Sequence, residues 1–87
     1  MAYNLNLTEG QEYMVVQPFK DFDQIVHPVG EKWNFVCTNY LPYDSGLTLH
    51  VIKDDGPVVY RFQWIKEEQA DIIENFQQFV RPVLVVF

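Results

Sequence analysis

The sequence predicts a small antiparallel protein of the mainly-β or α+β class. It should have four to five strands, one C-terminal amphipathic helix over about 66–80 and a short terminal strand. Three observations predict this. Trp33, Phe35 and Cys37 alternate with Asn34, Val36 and Thr38, and Leu47, Leu49 and Val51 alternate with Thr48 and His50, the period-two pattern of half-buried strands. Lys53-Asp54-Asp55-Gly56-Pro57 then separates two such runs, and Asp-Gly tolerates the positive φ of a tight hairpin. Beyond Lys66 the apolar residues Ile72, Ile73, Phe76, Phe79 and Val80 shift to helical spacing.

Taken in order, Thr8-Glu9-Gly10-Gln11 reads as a turn. A first strand runs from Tyr13 to Phe19, with Tyr13, Val15 and Gln17 on one face; Pro18 cannot donate to a ladder, so the strand ends there or lies at an edge. Lys20 to Lys32 is a long polar connection holding Asp21, Asp23, His27, Pro28 and Gly30, of a length often reserved for function. The strand at Trp33 places Cys37 in phase with Trp33 and Phe35, toward the core. The Tyr/Pro loop from Asn39 to Gly46 leads to the strand of Leu47, Leu49 and Val51, and after the Asp-Gly turn Val58, Tyr60, Phe62 and Trp64 return on one face.

In the helix, Glu67, Glu68, Asp71 and Glu74 crowd the N-terminal half, where the helix dipole favours negative charge, and Pro82 stops it. The apolar, β-branched tail Val83 to Phe87 reads as a strand with both faces buried. Two architectures satisfy this order: an SH3-like, partly open barrel with the helix at one end, or an open sheet packed on the helix.

With 87 residues, the chain is expected to form a single domain, 1–87, around one modest core. Its net charge of −6 repels phosphate backbones and anionic membrane surfaces, so neither nucleic acid nor membrane is expected as a partner. Cationic proteins are favoured instead. A lone cysteine cannot close an internal disulfide, and no secretory segment or membrane-length apolar run stands out, which points to the cytoplasm. The chain is expected to be a monomer, or a weak homodimer through the C-terminal strand.

The run His27-Pro28-x-Gly30-Glu31-x-Trp33-x-Phe35 is followed by Pro42-Tyr43-x-x-Gly46-Leu47-Thr48-Leu49, then Gln63-Trp64 and Glu68-Gln69. It resembles a family of small, mostly bacterial domains of unknown function. The resemblance spans nearly the whole chain and implies a self-contained β-rich domain. It implies no activity, cofactor or catalytic residue.

Asp21, Asp23, His27 and Glu31 are donors of a kind that binds hard or borderline metals, but Asp21-x-Asp23 lacks the further ligands and glycine of a calcium loop. No metal and no cofactor is expected. Cys37, read as buried, would be an inert hydrophobe. Ser45 is the only serine and sits in a turn, His50 reads as an exposed residue on a polar strand face, and no phosphate-binding glycine loop occurs. The chain is therefore not expected to be an enzyme.

Trp33, Phe35 and Phe62 read as core, leaving Tyr40 and Tyr43 as the exposed aromatic pair. Flanked by Asp21, Asp23 and Asp44, that pair suits a basic or Pro-rich peptide. The expected role is a protein-binding domain, in its concrete form an inhibitor or immunity-type partner of a basic protein. The alternative is a small-ligand or metal-binding domain that uses the 20–32 loop.

Overall fold

The computed structural model describes residues 5–41, 45–54, 56–65 and 69–84. In chain order the elements are β1 (Glu12–Val15), β2 (Phe19–Lys20), β3 (Val26–His27), β4 (Lys32–Leu41), β5 (Gly46–Lys53), β6 (Gly56–Gln63), α1 (Ala70–Glu74), a 3₁₀ turn (Phe76–Gln78) and β7 (Val80–Pro82). Five strands form one antiparallel sheet in the order β6-β5-β4-β1-β7, and β2 pairs with β3 in a separate two-stranded ribbon. β6 and β7 lie at opposite edges, so the sheet stays open rather than closing as a barrel.

One face of the sheet is apolar in register. Tyr13 opposes Trp33, Phe35 opposes Val51, Leu49 opposes Tyr60 and Leu47 opposes Phe62, all of them buried. Phe19 from the ribbon, Ile73 from α1 and Phe76 cover this face. The Phe76 ring lies 5.4 Å from Phe19, 6.2 Å from Phe62 and 6.5 Å from Trp33, centroid to centroid. Each such ring contributes about 1.5–3 kcal/mol by leaving water.

Four expectations need correction. Cys37 is exposed, because the register slips between Phe35 and Cys37: Phe35 faces Val51, yet Cys37 faces His50. Val36 is the extra residue of a β-bulge, which reverses the alternation and turns Thr38 and Tyr40 inward. The first strand stops at Val15 rather than Phe19, since the amides of Val16 and Gln17 donate to the Phe79 carbonyl instead of a ladder.

The helix is much shorter than 66–80, covering Ala70–Glu74 among the described residues. It ends at Asn75, whose φ of −123 leaves the helical range while its backbone amide and Nδ2 both donate to the Asp71 carbonyl. The chain then tightens through Phe76, which seats that ring in the core. Val80 and Pro82 consequently belong to a strand, at the sheet edge where proline is tolerated. The Val83 amide still donates to Glu12, but Leu84 is 78% exposed, so the tail is not buried on both faces there; residues 85–87 lie outside the described residues.

Candidate functional site

The 20–32 segment is the largest departure from expectation. It is not an unstructured polar connection but a ribbon whose inner side chains are buried. Asp21 shapes its tip: Oδ1 accepts the amides of Asp23 at 2.9 Å and Ile25 at 3.1 Å, and Gln24 takes φ +67 to close the turn. Gly30, at φ +97, makes the second reversal into β4.

Beneath the ribbon lies a charged network. His27 is fully buried, stacked on Phe19 at 4.7 Å and edge-on to Tyr60 at 4.3 Å. Its Nε2 lies 2.9 Å from Asp21 Oδ2 and its Nδ1 2.7 Å from Glu31 Oε1. Glu31 also accepts from Trp33 Nε1 at 3.2 Å and Lys53 Nζ at 3.3 Å. Burial, reinforced by the charges of Glu31, Asp21 and Asp54, pushes the Tyr60 phenol up to about 12. These donors and acceptors are engaged with one another, and among the described residues no three His, Cys, Asp or Glu side chains converge as a metal would require.

Outside, the ribbon presents Phe22, Ile25, Val26 and Val29, all exposed. The Phe22 amide donates to the Arg61 carbonyl at 2.7 Å, and the Arg61 guanidinium lies 5.9 Å from the centre of the Phe22 ring. Arg61 Nε donates to Asp23 at 3.1 Å; that hydrogen bond holds the Asp23 carboxyl below its ordinary range, and Arg61 is raised in return. Phe22, Leu41, Thr48, Arg61, Phe62 and Gln63 line a cleft of about 90 Å³ between the ribbon tip and the end of β4. A wider depression of about 330 Å³ lies near Tyr13, Gln77 and Arg81, but Arg81 Nη1 donates to the carbonyls of Gln77 and Val80, and the Tyr13 hydroxyl accepts the Thr8 amide.

A family model described as "Domain of unknown function (DUF3601)" matches residues 1–81. The chain belongs to this family. A solved structure, integron cassette protein VCH_CASS4 from the mobile metagenome of Vibrio cholerae, is similar to this DUF3601 domain with 26% sequence identity and a TM-score of 0.89. The likeness covers 95% of this chain and 92% of that one, and the neighbour is bacterial. No curated protein matches. Among the described residues no helix is long and apolar enough to cross a membrane.

The binding residues expected from the sequence divide. Asp21 is fully buried and acts from within; Asp23 is at the surface, paired with Arg61. Tyr40 is half-buried against Trp64, ring centres 5.7 Å apart, and Trp64 Nε1 donates to Glu74 at 3.1 Å. Tyr43 and Asp44 lie outside the described residues. His50 is half-buried, its Nε2 3.1 Å from Thr48 Oγ1 and 3.2 Å from Asn39 Nδ2.

Sequence reasoning missed Phe22, Leu41 and Arg61 as surface partners, and it did not see His27 and Glu31 as a buried pair. Composition gave no signal for this, because the apolar residues of the connection, Phe22, Ile25, Val26 and Val29, are the exposed ones, while the side chains it buries are the polar Asp21 and His27.

Proposed function

We propose that this DUF3601 domain is a protein-binding module of the cytoplasm that recognises a basic partner, in the manner of an inhibitor or immunity protein. One observation carries the reading: Phe22, on the ribbon, and Leu41, at the end of β4, line the same cleft. Arg61 also lines that cleft and is paired with Asp23, which supports a binding face there that draws on the ribbon. Small-molecule sites usually enclose ~300–1,000 Å³, and the cleft, at about 90 Å³, fits a single apolar anchor from a protein better than a cofactor. The net charge of −6 supplies long-range attraction for a cationic surface. The proposal assigns the chain no catalytic step, because the Asp21–His27–Glu31 cluster is buried under the ribbon with its polar atoms engaged.

The test uses the immobilised protein in low salt beside its Phe22→Asp and Leu41→Asp variants, whose folds are first checked by circular dichroism. A basic protein retained by the wild type, released by rising salt and lost with both variants is the expected result. Retention of the same proteins by wild type and variants would overturn the proposed face.

A further inference from the structure

We propose that the Asp21–His27–Glu31 bridge is a proton-operated latch on the β2–β3 ribbon, closed while both ring nitrogens of His27 bear protons and released when one is lost. Hydrogen-bond counting carries the inference. Nδ1 and Nε2 each face a carboxylate oxygen, at 2.7 Å and 2.9 Å. An ionised carboxylate only accepts, so with both ionised each ring nitrogen must donate. A ring with a single proton would turn a lone pair toward a buried anion, a costly arrangement in a site closed to water.

The geometry also shows which contact yields. Glu31 keeps Trp33 and Lys53 as partners and leads directly into β4 of the five-stranded sheet. Asp21 belongs to a ribbon of two-residue strands, and its remaining side-chain bonds go to Asp23 and Ile25 in the same ribbon. The Asp21 side therefore releases, which loosens the turn from Phe22 to Ile25 and leaves its tip tied to β6 by the Phe22 amide on the Arg61 carbonyl and the exposed Asp23–Arg61 pair.

The charged and titratable groups facing the ring are Asp21 from the ribbon, Glu31 ahead of β4, Lys53 from β5 through Glu31, and Tyr60 from β6. Arg61 lies outside this set, bound to Asp23 at the surface. With the Tyr60 phenol pushed up to about 12, that group stays neutral through mildly alkaline pH. That the latch governs a binding face rests on the function proposed above; the latch itself is a property of the free protein.

Hydrogen exchange of the free protein, followed by NMR from mildly acidic to mildly alkaline pH, tests it. The amides of Phe22, Asp23 and Ile25 should lose protection by at least about tenfold relative to those of β5. Asp21→Asn should abolish this step. The Asn carbonyl still accepts from Asp23 and Ile25, while its NH₂ donates to an unprotonated Nε2, so a singly protonated ring satisfies both neighbours. Parallel loss in ribbon and β5 would overturn the latch, as would a step that persists in Asp21→Asn. Should that variant fail to fold, ¹⁵N shifts of the wild-type imidazole decide: ring deprotonation with the ribbon still protected also overturns it. None of these outcomes bears on whether a partner binds.

Discussion

His27 bridges two acidic side chains, since Asp21 and Glu31 both lean on its ring. His27→Ala should leave two buried carboxylates facing a void and cost about 3–5 kcal/mol, read as a lowered urea midpoint with an unchanged slope. Cys37 sits at the opposite extreme, on the outer face across from His50. It should react with a thiol reagent in the native state, and Cys37→Ser should change stability by no more than about 0.5 kcal/mol. Slow modification that tracks global unfolding would contradict the exposed position. The sequence showed the alternation of Trp33, Phe35 and Cys37, but nothing in Val36 marks it as the residue where the pattern reverses.

Among the elements, β4 to β6 were legible because their alternation and the Asp-Gly turn are local signals. Asp54 takes φ +59 in that turn, and Lys53 opposes Gly56 across it. The ribbon was not legible, because β2 and β3 hold two residues each and depend on a histidine paired with acids four and six positions away. The end of α1 was equally hidden. Helical spacing from Ile72 to Val80 fits a longer helix, but seating Phe76 among Phe19, Phe62 and Trp33 requires a tighter turn. Phe76→Ala should therefore cost about 3–5 kcal/mol, as a central core residue does. Deleting Val36 should remove the bulge and leave Phe35 opposite Val51 and Cys37 opposite His50, so Cys37 stays outward and Tyr40 inward; a retained cooperative unfolding transition with Cys37 still reactive in the native state is the expected result.

At the scale of the whole molecule, stability should depend on pH at both ends. An unfolded tyrosine ionises near 10 and Tyr60 at about 12 in the fold, so within that window the unfolded chain binds fewer protons and stability falls as pH rises. Urea midpoints across that window should drop in the wild type and flatten in Tyr60→Phe. Asp23 acts in the other direction: its lowered folded value gives stability that is present above the ordinary carboxylate range and fades as acid protonates it. That contribution is small, because Asp23 and Arg61 are exposed to solvent.

By itself the sequence determined the strand faces of Leu47, Leu49, Val51, Tyr60 and Phe62, the hairpin turn between β5 and β6, and the acidic balance. These follow from nearest-neighbour spacing and from counting. Tertiary structure alone decided that Asp21 is interior, that Cys37 is exterior and that Phe22 shares a cleft with Leu41. Each depends on contacts between residues far apart in the chain, or on a single inserted residue whose effect appears only when a partner strand fixes the register.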